Sequence, residues 1–517
     1  MEKKKLSKQK VTKTIRRMGV YFAFAAGMFI GADRACAEEG MSQNAVEMSV
    51  PVDASVFPDE VFRGLISAQY DSNQSGILEV EELQNARELV YAPEEQLSQK
   101  PNKRKYLDIS GIEKLTHLEK VNISGWYLKG SESLWELTGL KTLVLDFNDM
   151  HSVDLSDFEE LQHFSAQNNQ LTELDVSNNE HLVTLNISYN YVTELDLKVN
   201  KKIKELYLTK NDLERLDLTK NSRLETLVVD DNQLDRIIFP KKIRIKTLSI
   251  AQNYFEKIDL SKCKKMQYFN GEQNDFTEID LSKCKKITYL NVARNKMKKL
   301  DLSKNKKLQT LFCHGNQLKA FDCSKLKELE NINCGENLFG KIDVSKNKKL
   351  KWLRCTNLKL KKLNLDSNTE LTFLDCGGNH LKELDVTGCP LLTSVNCGRN
   401  LLEKLKLGKQ PNLTKLYCYS NNLTKLDISG CTALNILDKK SFMPMNIINY
   451  TEVKDTDDYN YISAEKREKL MVSTMDETEK TQLKKMYIAK TEYLNEYTET
   501  SLYYHFKVKC IYTNYTK

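Results

Sequence analysis

Residues 308–326 read LQTLFCHGNQLKAFDCSKL, and residues 371–389 read LTFLDCGGNHLKELDVTGC. Laid over each other, they bring Asn316 onto Asn379, Cys313 onto Cys376 and Leu311 onto Leu374. The same Asn returns every 21 residues, at Asn148, Asn169, Asn190, Asn211, Asn232, Asn253, Asn274, Asn295, Asn316, Asn337, Asn379, Asn400 and Asn421. Leu358 breaks the series, with Asn357 one place early. A period this strict means a solenoid, in which no unit buries its apolar face alone and each stacks on the next. Solenoids offer extended surfaces, so binding starts ahead of catalysis.

The other columns supply the physics. Five and three places before each ladder Asn the residue is nearly always apolar, as in Leu185 and Ile187 or Leu248 and Ile250. Two, five and seven places after it the residue is apolar again, as in Leu171, Leu174 and Val176. Leu-x-Leu alternation is the period of a strand with one buried face, and so short a coil has no room for a helical stripe. The fold class is therefore a leucine-rich repeat solenoid of 21-residue coils, with short parallel strands on one side and turns opposite. At ~4.8 Å per coil, about fourteen coils make a curved rod roughly 65 Å long. The Asn column is scaffold, because a buried side-chain amide can satisfy both N–H and C=O groups of a chain leaving a strand.

Thirteen cysteines suggest a disulfide framework until their spacing is read. Cys313, Cys334, Cys355, Cys376, Cys397 and Cys418 recur at the same period, where earlier coils carry Leu208, Val229, Ile250 or Val292. Cys263, Cys284, Cys389 and Cys431 share a second column with Asn179, Asn200, Asn221, Asn305, Asn347 and Asn368. Neither set has the close C-x-x-C pairs of a zinc site. The expectation is an unpaired packing ladder, Cys acting as a small hydrophobe, which in an exported protein suits a reducing niche.

The two quoted coils resemble the cysteine-ladder repeats of internalin J-like surface proteins of Gram-positive bacteria, over roughly residues 140–438. The resemblance implies an extracellular recognition or adhesion protein whose concave strand face meets its partner, although such repeats serve many partners. The chain departs from that pattern in showing no LPxTG sorting signal and in its N-terminal segment.

Residues 1–37 read as a signal peptide: a basic n-region from Lys3 to Arg17, an apolar run from Met18 to Ala32, and Ala35-Cys36-Ala37 as cleavage signal. The chain is expected to be secreted, extracellular or cell-surface associated, without a transmembrane anchor after cleavage. Removing this segment leaves 69 basic against 69 acidic residues. Nucleic-acid binding thereby loses the support that a basic chain would give it.

Residues 54–90 carry an EF-hand-like helix-loop-helix. The run from Asp71 to Glu82 fits D-x-[DN]-x-[DNS]-G-x5-E. Calcium takes a shell of hard oxygens, here Asp71, Asn73 and Ser75 side chains, the Ile77 carbonyl, Glu79 directly or through water, and a bidentate Glu82. An entry helix starts near Pro58–Glu60 with Phe62, Leu65 and Ile66 on its apolar face, and an exit helix runs from Glu81 to Leu89. The bland alternative is a helix-loop-helix that caps the solenoid without metal.

Residues 101–140 read as irregular opening coils with Trp126 and Trp135 closing the core, residues 141–438 as the regular solenoid, and residues 439–517 as a small α+β cap or module. In that module a helix is expected around Glu477–Lys490 and strands in Tyr503–Tyr512. No H-E-x-x-H, G-x-S-x-G, P-loop or paired-carboxylate signature points to an enzyme. The repeated Asp column, Asp259, Asp280, Asp301 and their equivalents, is a turn device, since a catalytic group occurs once.

A partner is expected at the outward strand positions, which vary where the scaffold does not: Tyr207, Tyr268, Tyr289, Phe312, Trp352, Arg354, Phe373, Asp375, Tyr417 and Tyr419. Aromatics beside Arg and Asp anchor interfaces and stack on sugars, so the partner is an extracellular protein or a glycan. The alternative is a calcium-stabilised spacer that displays its C-terminal module and has no ligand on the strand face.

Overall fold

The computed structural model describes residues 48–97 and 103–434, except 419 and 424, together with the short strands Ile447–Ile448 and Lys509–Ile511. The signal segment and the helix expected around Glu477–Lys490 lie outside the described residues.

The alternating columns fold as three-residue strands stacked in parallel at a shift of one period. Glu205–Tyr207 pairs with Thr184–Asn186 on one side and Thr226–Val228 on the other, with Leu206 opposite Leu185 and Leu227. The ladder runs onward to Lys415–Tyr417, which pairs with Ile447–Ile448. Among the described residues Glu88–Val90 pairs with Lys120–Asn122 alone, so the sheet is an open ladder. Within the expected strand region Tyr503–Tyr512, Lys509–Ile511 lies parallel to Lys425–Asp427. The core is one apolar column after another: Leu206, Leu208, Leu213 and Leu218 are all fully buried, and their equivalents in the next coils are buried as well. At about 25 cal/mol per Å² of apolar surface, this stacking is the main stabilising force, and each coil receives it only from its neighbours.

The Asn ladder works as its chemistry requires. Asn190 Nδ2 donates to Ala166 O at 2.9 Å and Ile187 O at 3.0 Å, while its Oδ1 accepts from Leu171 N at 2.9 Å. The pattern repeats at Asn253, Asn295 and Asn337. Two positions depart from full burial: Asn421 in the last described coil is half-buried, and Asn357 is exposed while Leu358 fills the ladder position.

The second Asn column, set in the turns, is a second buried ladder. Asn200 Nδ2 donates to Val176 O at 2.8 Å and Asn179 O at 2.9 Å, and Asn179, Asn200, Asn221, Asn305, Asn347 and Asn368 are fully buried. The cysteines that replace them reach the same kind of carbonyl: Cys284 Sγ lies 3.7 Å from Leu260 O and Cys389 Sγ 3.6 Å from Leu365 O. The eleven cysteines among the described residues are buried, and none of them forms a disulfide.

At the N-terminal end, helix α1 (Glu60–Tyr70) is capped by Asp59, whose Oδ1 accepts from Val61 N and Phe62 N at 2.8 and 2.9 Å. Phe62 and Ile66 are buried as expected. The exit helix is shorter than expected. Helix α2 spans Val80–Asn85, and Glu88–Val90 leaves it to become the first strand of the ladder. Leu89 therefore belongs to the solenoid core, opposite Val121, because a β-bridged Leu buries its side chain against the next coil where a frayed helix end would leave it wet. Trp126 closes this end by stacking on Tyr91 at 5.1 Å, with its Nε1 donating to Tyr91 O at 3.2 Å. Trp135 packs edge-on against Phe158 at 6.1 Å.

Candidate functional site

Coil stacking turns alternate strand residues into rows across the strand face. Residues one period apart sit opposite each other, so Tyr268 meets Tyr289 with ring centroids 4.3 Å apart and planes 7° from parallel. Tyr289 meets Phe312 edge-on at 5.9 Å, Phe312 reaches past the next coil to Trp352 at 6.1 Å, and Trp352 stacks on Phe373 at 5.1 Å. Five of the expected residues thus form one continuous ribbon of rings, each half-buried by its neighbours. Aromatic pairs of this kind contribute about 0.5–1.5 kcal/mol beyond area burial, so the ribbon is rigid before any partner arrives.

Beside the ribbon lies its charged edge. Arg354 holds its guanidinium 5.6 Å over the Trp352 ring and donates from Nε to Asp375 Oδ2 at 2.9 Å. Asp375 is nearly buried and also accepts from Gly377 N at 3.3 Å through Oδ1. This pair opens onto a polar concavity of about 310 Å³, lined by Arg294, His314, Glu336, Arg399 and the small residues Gly377 and Gly398 among others. Burial holds the His314 imidazole below its ordinary pKa, so it enters the groove neutral at pH 7. The groove coincides with the ladder break. Asn357 is lifted out of the ladder, and the next coil answers with Gly378, where a Cβ would sit 1.9 Å from Asn357 Oδ1.

The other expected residues stand apart. Tyr207 is three strand steps from Tyr268, roughly 14 Å, and its hydroxyl donates to Glu205 Oε2 at 3.4 Å. Burial beside Glu205 pushes its phenol up to about 12. Tyr417 lies beyond Ser394–Asn396, outside the chain of ring contacts, and Tyr419 lies outside the described residues. The groove arginines Arg294 and Arg399 were not legible in sequence, since they occupy a column whose residues vary without pattern. The one available signal was the run of glycines at 377, 378 and 398.

The loop from Asp71 to Glu82 draws its polar groups inward. Asp71 accepts from Ser75 N at 2.9 Å and Gly76 N at 3.0 Å, and Asn73 Oδ1 accepts from Ser75 N at 2.9 Å. Ser75 Oγ donates to Ile77 O at 2.9 Å, and Asn73 Nδ2 to Glu79 Oε1 at 3.4 Å. Glu82 is turned to the chain itself. Its Oε1 accepts from Ser72 N and Ser72 Oγ at 2.7 Å, its Oε2 from Glu79 N at 3.0 Å, and these bonds hold its carboxyl below the usual range. Among the described residues no three His, Cys, Asp or Glu side chains converge at metal-binding distance. The loop is braced instead by Val50–Pro51, which pairs antiparallel with Ile77–Leu78.

Strand ladder, double Asn ladder and cysteine column together define a leucine-rich repeat protein of the cysteine-ladder kind. Comparison with solved structures agrees. The functional domain of InlJ from Listeria monocytogenes, which includes a cysteine ladder, is 25% identical, with a TM-score of 0.60 over 75% of this chain and 80% of that one. A leucine-rich repeat protein of Leptospira interrogans is 20% identical with a TM-score of 0.50, covering 64% of this chain and 94% of its own, and shares the fold. No protein-family model matches the sequence, and no curated protein matches it either.

Proposed function

We propose that this chain is an exported recognition protein that binds a polypeptide through the strand face of the coils from Tyr268 to Phe373. The observation that carries the reading is the continuous ring ribbon beside the Arg354–Asp375 pair. Pre-stacked aromatics beside an arginine held in place by a buried carboxylate are the composition of interface hot spots. The likeness to other leucine-rich repeat structures supports a binding role. Between the two partner classes, ring packing favours protein. Sugar stacking needs an open ring face, whereas Tyr268 and Tyr289, like Trp352 and Phe373, give their faces to each other and present edges. Edges and hydroxyls suit backbone carbonyls and aromatic side chains of a partner chain.

The test is a parallel array of extracellular polypeptides and glycans probed with the chain and with Trp352→Ala/Phe373→Ala. Polypeptide binding that weakens at least tenfold in the double variant is the expected result. Glycan binding alone, or binding indifferent to the variant, overturns the reading. Export rests on the residue 1–37 pattern, and N-terminal sequencing of protein recovered from culture medium should begin at Glu38. Among the described residues no helix is long and apolar enough to cross a membrane. Calcium at Asp71–Glu82 is part of the same proposal. The oxygen set fits the ion's chemistry, with Asp71, Asn73, Ser75 and the Ile77 carbonyl on one loop, and binding requires Glu82 to exchange its Ser72 bonds for the metal.

A further inference from the structure

The face opposite the strands carries a charge pattern that the partner site does not use. Nine places after the ladder Asn stands an uninterrupted column of lysines over seven coils: Lys220, Lys241, Lys262, Lys283, Lys304, Lys325 and Lys346, all exposed. Two places further on, a second column adds Lys264, Lys285, Lys306, Lys327 and Lys348, likewise exposed. Residues 220–362 hold 33 Lys and Arg against 16 Asp and Glu, whereas the rest of the chain beyond residue 37 holds 36 against 53. The neutral total therefore conceals a strongly cationic middle, preceded by an acidic stretch (residues 38–219, 16 basic against 33 acidic) and followed by a balanced one (residues 363–517, 20 against 20).

Local pairing does not cancel this charge. Six of the seven coils have one Asp on the same turn (the coil of Lys241 has Ile238 there), and that carboxylate is tied to its own backbone. Asp280 accepts from Ser282 N at 2.8 Å, Asp301 from Ser303 N at 2.9 Å and Asp322 from Ser324 N at 2.8 Å. No lysine of the two columns is within ion-pair distance of a carboxylate among the described residues. The nearest such pair, Lys349 with Glu328 at 2.7 Å, lies beside them. Like charges held in register at coil spacing repel one another. The fold tolerates that cost on a solvated face, and an opposite charge lying along the columns relieves it.

We infer that this turn face is a docking surface for a linear anionic polysaccharide running along the solenoid axis. The spacing selects the partner. Lysines repeat at ~4.8 Å, the order of the charge spacing of a chain with one carboxylate or sulfate per sugar ring. Duplex DNA carries one charge per ~1.7 Å of axis, much denser than the columns. Single-stranded nucleic acid needs aromatic stacking platforms, and these columns contain none. An anionic bilayer also attracts lysines, but stable attachment needs apolar insertion or a lipid chain as a second signal, and the columns contain no apolar side chain to insert.

The test measures binding of polygalacturonate, heparin, neutral dextran, duplex DNA and phosphatidylglycerol vesicles. It uses the full chain, and the chain lacking residues 1–37 so that their lysines do not contribute. The variants are Lys283→Glu/Lys304→Glu/Lys325→Glu and, as control outside the two columns, Lys382→Glu/Lys404→Glu/Lys415→Glu, both checked for folding by circular dichroism. Expected is binding to polygalacturonate or heparin that falls with salt, drops at least tenfold in the first triple and holds within twofold in the control. The arm that binds more tightly tells carboxylate from sulfate. Tighter binding to DNA or vesicles than to both polysaccharides, equal loss in both triples, or no polyanion binding overturns the inference. Trp352→Ala/Phe373→Ala should leave this binding unchanged, which separates it from the strand-face reading.

Discussion

Cys323 Sγ lies 3.2 Å from Asn347 Oδ1 and supplies the acceptor's missing donor. In the second ladder Asn179, Asn200, Asn221, Asn305 and Asn368 donate twice but leave Oδ1 buried without a partner. Asn347 is the exception, because Cys323 occupies a column that other coils fill with Leu281, Leu302 or Leu365. The same logic explains Cys284 and Cys389: a thiol reaches the carbonyl that an Asn would reach and orphans no acceptor of its own. Cys323→Leu should restore the apolar column yet strand Asn347 Oδ1. The two effects oppose, so chemical denaturation should show a change within about 1 kcal/mol. A loss above about 3 kcal/mol would mean the thiol does more than donate.

The buried thiols should be inert in the native state and all present on unfolding. Burial pushes Cys263, Cys284 and Cys323 up to about 12, and holds Cys334, Cys355 and Cys397 well above the ordinary thiol value. Little thiolate exists at pH 8, and it is the thiolate that reacts. Alkylation at pH 8 should spare the six cysteines from Cys313 to Cys418 in the folded chain and label all six in non-reducing denaturant. Recovery of three or fewer would establish disulfides between coils.

Two carboxylates should make stability rise as pH falls. Burial pushes Asp146 and Asp230 up to about 6 despite their bonds to Ser165 and Ser249. A raised folded-state value favours the protonated form. The stabilisation is complete below the unfolded value of 3.8 and is lost as pH climbs through about 6. Asp230→Asn should therefore be more stable than the parent at pH 7, by on the order of 1 kcal/mol, with the difference shrinking towards pH 4. Melting curves of both chains at the two pH values decide it. A constant difference would contradict the assignment.

Gly378 and Asn357 should behave as a coupled pair. Gly378 has φ +67°, and its added Cβ would meet Asn357 Oδ1, so Gly378→Ala combines a left-handed backbone cost of about 1–2 kcal/mol with a clash. Adding Asn357→Gly should recover the clash part only. A double-mutant cycle in urea measures the coupling, and strict additivity would show that Asn357 simply swings away.

Calcium should stabilise the N-terminal end alone. An affinity of ~10⁻⁴–10⁻³ M is the extracellular range for such loops, so millimolar calcium contributes about 1 kcal/mol through preferential binding to the folded loop. Hydrogen exchange should show protection at residues 57–90 that fades along the coils, and Glu82→Gln should abolish it. Unchanged exchange there excludes the site.

Much of this molecule was legible without coordinates, because the coil repeats and each column reports one physical requirement many times over. Asn190, Asn253 and Asn337 declared a buried amide ladder, Leu206 and Leu208 a half-buried strand, and Cys313 to Cys418 a packing column. What the repeat does not average, tertiary structure decided. The residue before each ladder Asn adopts positive φ, at Phe147, Tyr189, Lys210, Asp231 and Arg294 alike. No residue preference announces it, since the stacked neighbours impose the conformation on whatever side chain stands there. Leu89 left the expected helix because Val121 offered it a strand partner. Tyr268, Tyr289, Phe312, Trp352 and Phe373 were named one by one as outward residues. Only stacking across coils made them a single ribbon and left Tyr207 outside it, since ring contact depends on which coils carry small side chains between.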